Sequence, residues 1–249
     1  MSHDLLSNFG NQLTIAVVGA SGGLGRAFVE HCVAQPNVSS IHAFSRSKAQ
    51  FKSEKVKKHE IDITSEASIQ EAIASVGNTL SFDVVIVATG FLHDNSVSPE
   101  KSIRELSLDN FHNVFLVNTY GPALIAKYFL PRLQRDRKSV FACLSARVGS
   151  ISDNRLGGWY AYRASKAALN MILKNAAIEI ARRHKQTCIV GLHPGTVDTS
   201  LSKPFQRQVQ EGKLFTPEYS TACLLTVINN VTSKQSGKVL AWDGKEVPA

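Results

Sequence analysis

The sequence predicts a single α/β domain, a doubly wound parallel sheet of about seven strands with helices on both faces. Three observations lead there. Short apolar, β-branched runs alternate with stretches of helical period, the alternation that builds parallel sheets with right-handed crossovers. The first of these runs, Leu13 to Val18, ends in the turn Gly19-Ala20-Ser21-Gly22-Gly23-Leu24-Gly25 and leads into a helical stretch. The segment Asp83-Val84-Val85-Ile86-Val87-Ala88-Thr89-Gly90 holds a continuous apolar run, as a strand buried on both faces requires.

A chain of 249 residues is large enough for one sizeable core, and no linker divides residues 1–249 into two domains. The content of 43% hydrophobic and 19% charged residues is that of a globular protein, without repeats or low-complexity segments. No apolar run approaches membrane-spanning length. Residues 1–11 contain Asp4, Asn8 and Gly10 and lack a basic region followed by an apolar core, so no signal peptide is expected and the expected location is the cytoplasm. Cys32, Cys143, Cys188 and Cys223 form no Cys-x-x-Cys pair, which supports reduced thiols and neither a metal site nor a disulfide framework. The formal charge is +8, but the basic residues are scattered, with clusters only over 52–58 and 132–138 and no interleaved aromatics. That pattern fits solvated surface charge, with one or two cations left for a phosphorylated cofactor, and it excludes nucleic acid as the expected partner.

Taken in order, Leu13 to Val18 is the first strand, and residues 26–33 continue as a helix with apolar side chains at 24, 27, 28 and 32 on one face. Glycines in the intervening turn permit unusual dihedrals and close approach of a pyrophosphate, whose charge is favoured by the free amides of a helix N-terminus. The spacing here, Gly19-x-x-x-Gly23-x-Gly25, departs from the commoner Gly-x-Gly-x-x-Gly. Gln35-Pro36-Asn37 breaks the helix, and residues 41–45 form a second strand ending in Ser45-Arg46, where a dinucleotide fold meets the adenosine ribose. An acid at that place binds a free 2′-hydroxyl, whereas an arginine pairs with a 2′-phosphate. NADP(H) is therefore expected over NAD(H), the alternative being that Arg46 is a loop cation.

A third strand over residues 56–61 leads into Asp62-Ile63-Thr64, and residues 65–76 carry a helical stripe at 69, 72, 73 and 76. Beyond the buried strand, residues 99–133 are mostly helical in pattern, interrupted at Asn118-Thr119-Tyr120-Gly121-Pro122, where Gly and Pro would kink a helix and an asparagine could reach a cavity. Residues 139–145 are another buried strand, followed by a loop through Gly149, Asn154 and Gly157-Gly158 into the helix that holds Tyr162 and Lys166. A sixth strand over 187–192 ends in His193-Pro194-Gly195-Thr196-Val197-Asp198-Thr199, and residues 200–215, without a firm period, are expected to form a mobile lid. Thr216 then caps a helix with Pro217 at its first position, and residues 237–242 supply a last strand.

Tyr162 and Lys166 stand four residues apart and so share one helix face. A phenol ionises near pH ~10, and a fixed neighbouring ammonium favours the phenolate, so the pKa of Tyr162 is expected to fall far enough for acid or base work. An isolated Tyr-x-x-x-Lys fits an amphipathic helix with a solvated lysine equally well. The agreement of the other motifs argues for chemistry.

Those motifs together resemble the short-chain dehydrogenase/reductase family from Leu13 to Gly244. Within it, His93-Asp94, Gly149-Ser150-Ile151, Asp153-Asn154 and Gly158-Trp159-Tyr160 are most similar to C-factor-like and sniffer-like carbonyl reductases. The resemblance implies a Rossmann-type fold with the cofactor held by Gly19, Ser21, Gly22, Gly23, Leu24 and Gly25 in the turn, and by Ser45 and Arg46 at the ribose. It adds Asp62 and Ile63 at the adenine, Ala88 and Gly90 after the fourth strand, Pro194, Gly195, Val197 and Thr199 on the nicotinamide side, and Tyr162 and Lys166. Lys166 is implied to bind the nicotinamide ribose and Asn118 to hold a relaying water, so that the catalytic set is Asn118, Ser145, Tyr162 and Lys166.

Two departures stand out. Val87-Ala88-Thr89-Gly90 replaces the family's Asn-Asn-Ala-Gly, and Ala146 occupies the position of the family's active-site serine. Ser145, one residue early, can serve only if the strand end is bulged, because a one-residue shift turns a side chain to the other face. The alternatives are Ser150 or a strand-end hydroxyl satisfied by backbone. The expected activity is NADP(H)-dependent interconversion of a small carbonyl and its alcohol, with Tyr162 moving the proton and Leu92, Trp159 and Phe205 forming an apolar wall. The alternative is a C-factor-like signalling or regulatory protein that binds the cofactor with little turnover. The resemblance also implies a homodimer or homotetramer.

Overall fold

The computed structural model describes residues 5–47 and 49–249; Asp4, used above against a signal peptide, lies outside them. In chain order the elements are β1 (Leu13–Val18), α1 (Gly23–Ala34), β2 (Val38–Ser45), β3 (Val56–Glu60), α2 (Glu66–Ser75), β4 (Val84–Val87), α3 (Leu108–Phe115), α4 (Gly121–Phe129) and β5 (Ser139–Leu144). They continue as α5 (Tyr160–Ala181), β6 (Thr187–His193), β7 (Thr196–Val197), β8 (Leu214–Phe215), α6 (Pro217–Asn230) and β9 (Val239–Ala241). Seven strands form one parallel sheet in the order β3-β2-β1-β4-β5-β6-β9, so the strand order reverses between β1 and β4. A crevice opens at such a reversal, beyond the carboxyl ends of the strands.

The apolar runs are continuous because both faces of the sheet are covered. Leu13, Ile15 and Val17 enter the core shared with α1 and α6, while Ala16 and Val18 enter the core shared with α2, α4 and α5. Each large side chain buried in this way contributes roughly 1.5 to 3 kcal/mol. Ser65, Ser107 and Thr216 cap α2, α3 and α6 through their hydroxyls, with Pro217 opening α6 as its sequence signature requires.

The structure corrects or refines the sequence reading in four places. Helix does not begin near residue 99: a 3-10 turn at Ile103–Glu105 precedes α3, whose start is set by the Ser107 cap. The interruption expected at residues 118–122 is a π turn, Leu116–Tyr120, which passes directly into α4 with Pro122 as its second residue. Residues 200–215, where the sequence shows no firm period, hold a 3-10 segment, Lys203–Gln208, and β8, which pairs with β7 in a second, two-stranded sheet. Finally, the basic run over 132–138 is not wholly solvated surface. Arg137 Nε binds buried Asp83 at 2.7 Å, and Arg132 Nε donates to the Leu80 carbonyl at 3.1 Å.

Candidate active site

The glycine turn is folded back on itself. A Cβ on Gly25 would lie 2.0 Å from the Gly19 carbonyl oxygen, and Gly19 itself adopts φ +86° against Thr89. Gly22 is the N-cap of α1 and supplies no side-chain cap, so the first amides of that helix are free to meet an anion. In front of the turn is a cleft of about 560 Å³. Gly19, Ser21, Gly22, Ser45, Arg46, Asp62, Ile63, Ala88 and Gly90 line it. Gly23, Leu24 and Gly25 do not. Thr199 reaches the turn from the far end of the chain, for a Cβ on Gly23 would lie 3.0 Å from its Cγ2, whereas Pro194, Gly195 and Val197 lie outside the cleft lining.

Thr89, Asn113, Leu116 and Val117 also line the cleft and were not anticipated. The last three stand at i, i+3 and i+4, a helical spacing that places them on one face and was visible in the sequence. Thr89 Oγ1 is buried with no hydrogen-bond partner among the described residues, and an orphaned hydroxyl beside uncapped helix amides fits a polar ligand. Asp62 Oδ1 accepts from the Thr64 amide at 2.9 Å and the Thr64 hydroxyl at 2.7 Å. Those bonds, with a smaller contribution from Arg46, hold its carboxyl below the usual range.

Tyr162 is the third residue of α5 and is 9% exposed; Lys166, one turn on, is 2% exposed. The Lys166 ammonium lies 5.8 Å from the Tyr162 ring centroid and donates to the Leu144 carbonyl at 2.9 Å. The expected fall in the tyrosine pKa is reversed in the protein alone: burial pushes Tyr162 up to about 12 and Lys166 down to about 8. Desolvation opposes charge on both groups and outweighs an attraction across that distance. Asn118 sits fully buried in the π turn, its Nδ2 donating to the Phe91 carbonyl at 2.7 Å and its Oδ1 accepting the Phe91 amide at 2.8 Å. Its Nδ2 also reaches Ser165 Oγ at 3.2 Å, so Asn118 ties the loop after β4 to the helix that holds Tyr162.

The family model for short chain dehydrogenases matches residues 13–210. The chain belongs to that family. Among its relatives, 1-hydroxy-2-glutathionyl-2-methyl-3-butene dehydrogenase of Rhodococcus sp. strain AD45 is 31% identical over 185 residues, 74% of this chain and 76% of that protein. The C-signal of Myxococcus xanthus is 34% identical over 147 residues, 59% of this chain and 83% of its own length. The NADPH-bound carbonyl reductase from chicken fatty liver superposes with a TM-score of 0.83 at 26% identity, covering 98% of each chain. The protein is thus an oxidoreductase of the short-chain dehydrogenase/reductase type.

In this short-chain dehydrogenase the serine position is answered by geometry. The strand end is not bulged, since the Ser145 amide continues the ladder to the Leu192 carbonyl at 2.8 Å. Ser145 Oγ turns to Asn170, one turn beyond Lys166, and donates to its Oδ1 at 2.6 Å. The face towards Tyr162 is occupied by Ala146, packed with Leu92, Val97, Val114 and Trp159. The Ser145 hydroxyl is thus engaged by Asn170, while Ala146 packs against the apolar cluster that includes Tyr162. The Ser150 hydroxyl accepts the Asp153 amide at 3.0 Å and contacts the Ala249 carbonyl at 3.4 Å. The expected apolar wall is present, with Phe205 of the 3-10 segment meeting Trp159 at a ring distance of 4.9 Å and Trp159 meeting Tyr162 at 6.1 Å.

Proposed function

We propose that the protein reduces a small carbonyl compound with NADPH, reversibly in principle, with Tyr162 delivering the proton. The observation that carries this is the convergence of Tyr162 and Lys166 beneath one apolar wall, with Asn118 tying their helix to the glycine-turn cleft. When bound, the nicotinamide supplies the hydride. The uncapped α1 amides with Ser21 and Gly22 would hold the pyrophosphate, Asp62 and Ile63 the adenine side, and Arg46, which is exposed at the cleft, a 2′-phosphate. A phenol held near 12 is protonated at neutral pH, the state that a proton donor needs. The Lys166 ammonium favours the phenolate left behind. With Ala146 at the serine position, Tyr162 bonds the carbonyl oxygen without help from Ser145.

The test is NADPH oxidation against a panel of aldehydes, ketones and quinones by the unmodified protein and by Tyr162→Phe, which keeps the ring and removes the hydroxyl. Turnover should all but stop in the variant while NADPH binding survives. Near-normal turnover in Tyr162→Phe would remove Tyr162 from the role.

Ala146 and the diverted Ser145 favour a second reading, a cofactor-binding regulatory protein with weak turnover, and the C-signal relative lends it support. NADPH binding without reduction of any member of the panel would select it. A homodimer or homotetramer is proposed with either reading, and sedimentation of the purified protein tests it.

A further inference from the structure

Glu100 is 2% exposed, and a carboxylate so buried is costly unless its oxygens are satisfied. Its Oε2 accepts the Ala161 amide at 3.1 Å, its main-chain oxygen accepts the Trp159 amide at 2.5 Å, and its Oε1 meets Asn110 Nδ2 from α3. The place it binds is the entrance to α5. That helix has no acidic residue in its first turn, and its N-cap, Trp159, makes no side-chain capping bond. The chain arrives there through three successive left-handed residues, Gly157, Gly158 and Trp159, at φ 63°, 62° and 51°. For a bulky residue such as Trp159 that conformation persists only when its surroundings impose it.

We infer that Glu100 is a positioning residue for Tyr162: its carboxylate caps the first turn of α5 from outside the helix and fixes where the phenol stands. A side-chain oxygen on the free amides of a first turn is what an N-cap supplies, and a negative charge complements the helix dipole there. Tyr162 immediately follows the amide that Glu100 holds. Loss of the cap frees the strained entry and, with it, the third residue of the helix. The role rests on Tyr162 being the proton donor, so one measurement is chosen that does not depend on turnover.

Two substitutions test it. Glu100→Gln can keep the Ala161 bond through its amide oxygen and donate to Asn110 Oδ1, which has no partner among the described residues. Glu100→Ala can do neither. Amide hydrogen exchange should quicken at Ala161, held by Glu100, and at Arg163, which donates to the Trp159 carbonyl at 2.8 Å, in the alanine variant and stay protected in the glutamine variant. Turnover per NADPH-binding site should fall in Glu100→Ala by roughly 10²-fold, the cost of an ångström-scale misplacement, with KM for NADPH within about threefold of normal, and Glu100→Gln should recover most of it. If the alanine variant lost turnover only in proportion to lost NADPH binding, or if exchange at Ala161 and Arg163 were unchanged, the positioning role would be overturned. If the unmodified protein reduced no carbonyl at all, the proton-donor reading would fail by itself, and the exchange result would still decide whether Glu100 caps α5.

Discussion

At the scale of single residues, burial sets the chemistry more than proximity does. Lys166 is pushed down to about 8, so its ammonium is lost as pH rises through that value, and the support it gives to a tyrosinate goes with it. The rate of carbonyl reduction should therefore fall on the alkaline side with an apparent midpoint near 8, and a rate flat to pH 10 would count against Lys166. Ser145 is bonded to Asn170 and, under the proposed function, takes no part in turnover. Ser145→Ala should cost about 1 kcal/mol of stability for the lost bond to Asn170 and leave turnover within a few-fold, as thermal unfolding and initial rates would reveal. Under the proposed function, Arg46 at the cleft is the group that selects a 2′-phosphate. In Arg46→Ala, NADPH binding should weaken by roughly 1.5 to 3 kcal/mol and NADH binding should not, which titration with each nucleotide measures.

Elements carry the next level of control, and the glycine turn is the tightest of them. The atoms a Gly25 side chain would strike, Gly19 O at 2.0 Å and Gly19 C at 2.7 Å, are backbone and cannot swing away. Gly25→Ala should accordingly lose NADPH binding and at least about 1 to 3 kcal/mol of stability, whereas retention of both would mean that the turn can open. The π turn at Leu116–Tyr120 has a related function. Its extra residue turns Asn118 inwards, towards Phe91 and Ser165, where a plain helix would have carried the register past them.

For the whole molecule, acid stability should depend on a histidine pair outside the site, His42 buried and His59 half-buried. His42 Nδ1 lies 2.9 Å from His59 Nε2, His59 Nδ1 lies 2.9 Å from Ser75 Oγ, and that hydroxyl donates to the Ala72 carbonyl at 2.7 Å. The hydroxyl proton being committed, His59 must donate through Nδ1 and accept through Nε2, which leaves His42 Nε2 bare and without a partner among the described residues. Burial, then the neighbouring His59 and Lys57, push His42 down to about 4 from 6.5. Between those values the unfolded chain binds the proton more readily than the folded one, so stability is full above pH 6.5 and declines as pH falls towards 4, by up to roughly 3 kcal/mol. Thermal unfolding across that range should show the decline and His42→Gln should flatten it; identical slopes would dismiss the pair as its source.

Much of this was legible beforehand because its signals are local. Seven strands, two covered faces, the cap at Thr216 and the cofactor turn all follow from periodicity and from residues that only certain backbones accept. So does the pairing of Tyr162 with Lys166, which a helix imposes by itself. What the sequence could not decide depended on contacts between distant segments. The direction of the tyrosine pKa required knowing how deeply the phenol is buried, and the fate of Ser145 required finding Asn170 on the helix across the sheet. Glu100 had no local signature at all, since it acts on a helix that begins far along the chain, and only tertiary packing brings a lone carboxylate to the amides it caps. Local rules act over a few residues of backbone, whereas desolvation and hydrogen bonding across a core are properties of the folded whole.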